Sequence, residues 1–156
     1  MDLGLKNKNA AITGASQGIG EAIAHSLANE GCNIAICARN QERMDQTIAE
    51  IQAKGVKAVG VISDLSSEVG CQHFIEEAVQ QLGSLQILVN NVGGMIPGTL
   101  ATMAEETWNT AINVNLMAAI FSTKHSVEHL KNNEWARILN VTGFSGTQLF
   151  PGALST

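Results

Sequence analysis

The sequence lacks three features that would each indicate a specialised class of protein. No apolar run approaches the roughly 18 residues of a membrane span, and residues 1–8 are polar and offer no signal-peptide core. No basic cluster is present, because 9 lysines and arginines are scattered among 14 acidic residues, for a net charge of −5. These absences argue against a membrane or nucleic acid as the main partner and predict a cytoplasmic protein.

Cysteine is scarce and tyrosine is absent: the chain has 3 cysteines and 0 tyrosines. Cys32, Cys37 and Cys71 are odd in number and lack C-x-x-C spacing, so we expect reduced, buried packing residues. His125 and His129 stand four residues apart in a helical pattern. Because no third ligand is evident beside them, we predict no metal site.

The composition that is present describes a globular protein. Hydrophobic residues make up 45% of the 156 residues and charged residues 15%, and neither a linker nor an internal repeat interrupts the chain. We therefore predict a single domain over residues 1–156.

A glycine-rich turn, Thr-Gly-Ala-Ser-Gln-Gly-Ile-Gly at residues 13–20, organises the pattern. An apolar run precedes it, and apolar residues at Ile19, Ile23 and Leu27 follow it at helical spacing. A strand, a glycine turn and a helix together place a helix N-terminus, with free N–H groups, against a phosphate. The spacing G-x-x-x-G-x-G differs from the usual G-x-G-x-x-G, and a purely structural turn is the alternative.

Strand and helix patterns alternate along the whole chain, which predicts an α/β fold: a Rossmann-type doubly wound parallel sheet of about five strands. The predicted strands cover 9–13, 33–38, 56–62, 86–90 and 137–141. The predicted helices cover 18–30, 41–54, 67–82 and, from a capping box at Thr102 and Glu105 with a break near Asn113, about 102–131. Residues 114–121 are apolar nearly all round, which fits either internal core or a subunit interface.

The end of the second predicted strand indicates which nucleotide binds. A dinucleotide fold that uses NAD carries an acid there, roughly 20 residues past the glycines, to hold the ribose 2′-OH. This chain has Arg39 instead, and a guanidinium suits a 2′-phosphate, with a hydroxyl from Ser16 beside it. NADP(H) is therefore predicted over NAD(H), which stays possible if Arg39 is only a solvated surface residue.

Two more loops follow predicted strands at the same edge of the sheet. Asp64 and Leu65 come after the third strand, where Asp64 could accept from an adenine amino group or simply precede a helix. Two asparagines, a valine and two glycines at 90–94 follow the fourth strand. Glycines there allow close approach of backbone to a cofactor, although a turn without ligand needs similar residues.

Together these residues resemble the classical short-chain dehydrogenases/reductases, with an overall similarity to 3-oxoacyl-[acyl-carrier-protein] reductases. The resemblance covers 8–156 and rests on the glycine turn, Asp64, Asn-Asn-Val-Gly at 90–93, Asn-Val-Asn at 113–115 and Arg-Ile-Leu-Asn-Val at 137–141. Val92 departs mildly from the family's usual alanine. The cofactor-binding residues we expect are Gly14, Ser16, Gln17, Gly18, Ile19, Gly20, Arg39, Asp64, Leu65, Asn91, Val92 and Gly93.

The resemblance implies an NAD(P)(H)-dependent alcohol–ketone oxidoreductase with a small-molecule carbonyl substrate. In the family a tyrosine acts as general acid/base, a lysine lowers its pKa, a serine binds the carbonyl oxygen and an asparagine holds a water. The asparagine maps onto Asn115. The serine position is Gly143, with Thr142 and Ser145 near it, and the tyrosine position falls at Thr156. The catalytic tyrosine, lysine and serine thus do not carry over.

Two hypotheses follow for the function of the chain. The first is an NADP(H)-dependent ketone or 3-oxoacyl reductase whose remaining catalytic residues lie on sequence beyond these 156 residues. The second is a nucleotide-binding module without redox activity, either a truncated or an inactive homologue.

The family's usual C-terminal part is missing, so we also expect an open edge at the fifth strand. That edge, together with Leu116, Met117, Ile120 and Phe121, predicts a homo-oligomer.

Overall fold

A computed structural model describes residues 2–99 and 101–143, and within them five parallel strands form one sheet in the order β3-β2-β1-β4-β5. The strands are β1 (Asn9–Ile12), β2 (Asn33–Ala38), β3 (Ala58–Ile62), β4 (Ile87–Asn90) and β5 (Arg137–Asn140). The helices are α1 (Gly18–Asn29), α2 (Gln41–Gln52), α3 (Glu68–Leu82), α4 (Glu105–Ile112) and α5 (Ala118–Lys131), with a π-helical turn (Asn113–Met117) joining the last two. The predicted doubly wound α/β sheet is confirmed.

The central strands are buried on both faces, which explains why they read as continuous apolar runs. In β1, Ala10 and Ile12 belong to the core that includes residues of α1 and α2. Ala11, between them, faces the second core, which includes residues of α3 and α5. Alternate residues of one strand therefore supply two cores, and helices cover the sheet on both sides.

The predicted element boundaries hold to within about two residues, apart from the helix that begins near residue 102. The sharpest agreement is at the end of α3, where Gly83 has a φ of 91° and its N–H donates to Val79 O at 2.8 Å. That left-handed conformation suits glycine and satisfies one of the free carbonyls of the helix end. The prediction of buried, unpaired Cys32, Cys37 and Cys71 is confirmed.

The predicted capping box at Thr102 and Glu105 is wrong. α4 begins at Glu105 after Ala104, and no side chain caps it. The hydroxyl of Thr102 instead accepts from the backbone N–H of Thr99 at 3.2 Å, while the Thr102 N–H donates to Thr99 O at 3.1 Å. A local turn has taken the hydroxyl that the cap would need, because threonine competes readily for nearby backbone groups.

The predicted helix break near Asn113 corresponds to the π-helical turn. The apolar stretch around it is neither wholly internal nor wholly exposed. Ala118 is fully buried, while Leu116 and Ile120 are 54% and 46% exposed. Phe121, which we expected on the exposed face, packs against the second core instead.

Within residues 2–99 and 101–143, β5 is paired on one side only, with β4, so the predicted open edge is present there. Its four residues are all exposed. None of the helices in these residues combines the length and apolarity that a bilayer crossing requires.

Candidate functional site

A cleft of about 400 Å³ opens at the carboxyl ends of the strands. It lies where the segments that follow the neighbouring strands β1 and β4 lead to opposite faces of the sheet. This topological switch point is where open α/β sheets bind ligands. The cleft is lined by residues from the glycine turn, from the ends of β2, β3 and β4 and from the π-helical turn: Gly14, Ser16, Gln17, Gly18, Ile19, Cys37, Ala38, Arg39, Ser63, Asp64, Leu65, Ser66, Asn91, Val92, Gly93 and Val114. All predicted cofactor residues except Gly20 line it.

The glycine turn has the backbone that the sequence pattern suggests. Gly14 and Gly18 have φ values of +64° and +63°, which side-chain-bearing residues rarely adopt. A Cβ at Gly18 would meet nothing within 4 Å, so the backbone at the start of α1 faces open space. This exposed helix N-terminus presents N–H groups and a positive dipole end to the cleft.

Gly20 lies behind the turn and not in the cleft. A Cβ there would stand 2.4 Å from Asn91 Nδ2 and 2.7 Å from Gly14 O. No side chain fits at this position, because the loop after β4 presses directly on the first turn of α1. Gly20 therefore serves the close packing of helix and loop.

Asn91 and Thr13 hold the loop after β4 and the glycine turn together. Asn91 Nδ2 donates to Thr13 O at 2.9 Å and to Gly14 O at 3.0 Å. The Thr13 hydroxyl accepts from the backbone N–H groups of Asn91 and Val92, at 2.8 and 2.9 Å. The Asn91 amide therefore stabilises the conformation of the glycine turn. Asn91 also lines the cleft.

Arg39 and Asp64 lie near one another at the β2–β3 side of the cleft. The carboxylate of Asp64 accepts from the Ser66 N–H at 3.1 Å. That backbone hydrogen bond, then the Ser66 side chain and then the charge of Arg39, hold the pKa of Asp64 below its usual range. Asp64 is therefore an anion and an acceptor in this part of the cleft, and Arg39 is the cation beside it.

Arg43 is a residue that the sequence reading missed. It lies in the first turn of α2, and its guanidinium donates from Nη1 to the Oε1 of Gln17, a residue of the cleft wall. Its backbone N–H also donates to Asn40 Oδ1, the N-cap of α2. Helical spacing gives no signal for it, because Arg39 precedes the N-cap and is not part of α2.

Cys37 and Ser63 were also missed in the cleft wall. Cys37 is 1% exposed, and burial is the main reason that the pKa of its thiol rises to about 12. A thiol in that state is not a nucleophile. The Ser63 hydroxyl donates to Gly70 O at 2.7 Å, so it fastens the end of β3 to α3.

Asn115, the predicted catalytic residue, lies in the π-helical turn at the edge of the cleft. Its Oδ1 accepts from Gly94 N at 2.8 Å, and its Nδ2 donates to Gly94 O at 3.0 Å. The side chain thus binds the glycine segment after β4 through both of its ends. π-helical turns inside helices occur frequently at functional sites.

The remaining catalytic positions are only partly described. Thr142 and Gly143 are exposed and follow the end of β5, and neither offers the serine hydroxyl of the family pattern at the expected place. Ser145 and Thr156 lie outside the described residues. His125, for which the sequence predicts no metal-binding role, has its Nε2 3.2 Å from Glu68 Oε1.

Comparisons with known proteins agree with this geometry. A family model described as short chain dehydrogenase matches residues 8–155. The chain is 36% identical over 151 residues to an uncharacterized oxidoreductase, YvrD, of Bacillus subtilis, covering 97% of this chain and 57% of that protein. It is 33% identical over 147 residues to the 3-oxoacyl-[acyl-carrier-protein] reductase FabG of Staphylococcus epidermidis, covering 94% of this chain and 60% of the relative.

A solved structure shares the fold over nearly the entire chain. L-sorbose reductase from Gluconobacter frateurii, complexed with NADPH and L-sorbose, superposes with a TM-score of 0.96 at 29% identity, covering 99% of this chain and 59% of that one. The chain therefore spans about three-fifths of the length of the proteins that it matches.

Proposed function

This chain belongs to the short-chain dehydrogenase family, and we propose that it binds NADP(H) in preference to NAD(H) and serves the reduction of a ketone, such as a 3-oxoacyl group, to an alcohol. The observation that carries the proposal is the position of Arg39. It follows β2 directly and lines the cleft, where an enzyme specific for NAD would have an acid.

The residues present fit a dinucleotide with a 2′-phosphate. The open backbone at Gly18 and the start of α1 suit the pyrophosphate. Arg39 offers a planar donor fork to the 2′-phosphate, and Arg43, resting on Gln17, adds a second positive charge nearby. Asp64, kept ionised by Ser66 and Arg39, is an acceptor for an adenine amino group.

The cofactor, when bound, supplies or accepts the hydride at its nicotinamide ring. The chain's own contribution at that end is to shape the loop after β4. Asn115 fixes Gly94 by two hydrogen bonds, and Asn91 fixes the glycine turn. A cleft wall that is held in place before binding lowers the free-energy cost of binding, because the loop does not have to be ordered by the ligand.

The ketone substrate is proposed from the relatives. FabG carries 3-oxoacyl reductase in its name, and L-sorbose reductase was solved with a ketose. We further propose that residues 1–156 form one dinucleotide-binding domain, and that the general acid for the reaction lies on sequence beyond Thr156.

A second candidate function is a nucleotide-binding module without redox activity. Two observations favour it for these 156 residues: the sequence holds 0 tyrosines, and Gly143 occupies the place of the family's serine. A threonine hydroxyl, such as that of Thr156, is far too weak an acid to replace a tyrosine without a neighbouring base.

Binding and turnover measured side by side distinguish the candidates. NADPH fluorescence reports binding to the purified 156-residue chain, and NADPH absorbance with an acetoacetyl thioester reports reduction. We expect saturable binding with negligible oxidation for this chain, and oxidation for a longer protein if the reading frame continues into Tyr-x-x-x-Lys. Binding without turnover in the longer protein would favour the module, and failure to bind NADPH would overturn both.

A further inference from the structure

Three potential metal ligands from α1 and α2 meet at one point, and none of them is among the residues that line the cleft. Glu21 and His25 lie four residues apart on α1, and Glu50 lies on α2. One ligand atom from each of the three lies within 4.8 Å of the other two. We propose that these residues, hereafter the Glu–His–Glu triad, bind a divalent transition-metal ion such as Zn²⁺.

The spacing and the donor types fit such an ion. Residues i and i+4 face the same side of a helix, one turn apart, so α1 supplies two donors toward one point. Zn²⁺ bound at about 2.0–2.2 Å in tetrahedral geometry needs ligand atoms roughly 3.4 Å apart. His25 Nε2 already lies 3.4 Å from Glu50 Oε2. Small side-chain rotations of Glu21 complete the set, and water fills the fourth position.

The position of the two helices is fixed by packing and not by the triad itself. Ala24 and Ala28 of α1, and Met44 and Ile51 of α2, are all buried in the same core. The backbones that carry the ligands are therefore held at a constant separation whether or not an ion is bound. A preformed site avoids the cost of ordering its ligands on binding.

Glu50 is also oriented from outside the triad. Its Oε1 accepts from Gln46 Nε2 at 3.1 Å, which leaves Oε2 directed at His25. Metal-ligating carboxylates commonly have such a supporting hydrogen bond. The side chain of His25 is only 24% exposed, so one of the three donors is largely shielded from water.

Among residues 2–99 and 101–143, no lysine or arginine forms an ion pair with Glu21 or Glu50, and the carboxylate of Glu21 has no hydrogen-bond partner. Two carboxylates and one imidazole therefore meet at one point. The imidazole favours Zn²⁺, Ni²⁺ or Co²⁺ over Mg²⁺ or Ca²⁺, which prefer oxygen ligands alone.

The test is a titration of the whole chain, first stripped of metal with a chelator, with Zn²⁺ by calorimetry and with Co²⁺ by visible absorption. We expect one ion per chain and no competition from excess Mg²⁺. Glu21→Gln and His25→Gln should each weaken binding at least tenfold, whereas Glu42→Gln should bind as the parent does. Glu42 is the matched control because it is an exposed glutamate of α2 outside the triad.

Two further readouts separate the triad from adventitious binding. Zn²⁺ should raise the melting temperature of the parent and of Glu42→Gln but not of Glu21→Gln, because only the folded site binds it. Bound Co²⁺ should lack thiolate charge-transfer bands, since no cysteine belongs to the triad. Absence of stoichiometric binding, equal binding by Glu21→Gln and Glu42→Gln, or a thiolate band would each overturn the proposal.

Discussion

Asn91 and Thr13 exchange hydrogen bonds across the switch point: Asn91 Nδ2 donates to Thr13 O at 2.9 Å, and the Thr13 hydroxyl accepts from Asn91 N at 2.8 Å. The pair joins the ends of β1 and β4, so the glycine turn keeps its shape without a ligand. Since Gly20 packs directly on this amide, the first turn of α1 depends on it as well.

We predict that Asn91→Ala destabilises the chain by about 1–3 kcal/mol, because it leaves the Thr13 and Gly14 carbonyls without their donor. NADPH binding should weaken as well, since the turn that faces the pyrophosphate loses its support. Urea denaturation and NADPH titration measure the two effects. Asn132→Ala, at an exposed helix end, is the control, and equal stability of the two variants would contradict the role given to Asn91.

Asp64 should make the stability of the chain depend on pH in the acid range. Its folded-state pKa is lowered, so its contribution is present above the unfolded pKa of about 3.9 and is lost as pH falls through the lower folded value. Urea denaturation at a series of pH values should show a shallower acid loss in Asp64→Asn than in the parent.

Ser66→Ala separates the causes of that shift. It removes the hydroxyl but keeps the backbone N–H, which is the largest cause, so most of the pH dependence should remain. An Asp64→Asn profile identical to that of the parent would show that the carboxylate gains nothing from its neighbours.

The strands, and the edge of the sheet at which the cleft opens, could be predicted because both depend on local sequence pattern. Continuous apolar runs indicate strands buried on both faces, and parallel strands place the residues that follow them at one edge of the sheet. Arg39 and Asp64 were therefore assignable to one site from their places after β2 and β3.

The contacts between distant side chains could not be predicted in the same way. Arg43 reaches Gln17 across 26 residues of sequence, and no periodic pattern encodes that meeting. The Asn91 loop was expected to let backbone approach a cofactor, but which carbonyls its amide would bind depends on the packed positions of β1 and β4. The prediction of a helix cap at Thr102 was wrong for a related reason. A local turn and a helix N-terminus compete for the same hydroxyl, and the sequence does not show which one binds it.

We predict that the chain self-associates through the exposed side of the π-helical turn and α5. Leu116 and Ile120 are 54% and 46% exposed, and an apolar patch of this kind favours a partner surface. Ile120→Glu should shift the chain toward monomer in light scattering, because it places a charge in the contact. Phe121, which we grouped with these residues from the sequence, is less suited to the experiment, because it packs against the second core.

Leu3→Glu provides the control for that experiment, because Leu3 is 54% exposed and its neighbour Leu5 packs against the first core, whereas α5 belongs to the second. It introduces the same charge outside the proposed contact and should leave the assembly unchanged. A parent chain that is monomeric at high concentration, or an unchanged assembly in Ile120→Glu, would contradict the prediction.

The measurement that tests the central claim most directly is a titration of NADPH and NADH against the parent, Arg39→Ala and Arg137→Ala. Arg137 is a matched control because its guanidinium lies 4.8 Å from the Trp135 ring, outside the cleft wall. Arg39→Ala should lose about 1.5–3 kcal/mol of NADPH binding, roughly 10- to 150-fold, with NADH binding nearly unchanged. Equal affinity of the parent for both nucleotides, or an NADPH affinity that Arg39→Ala leaves intact, would contradict the assignment of this cleft to NADP(H).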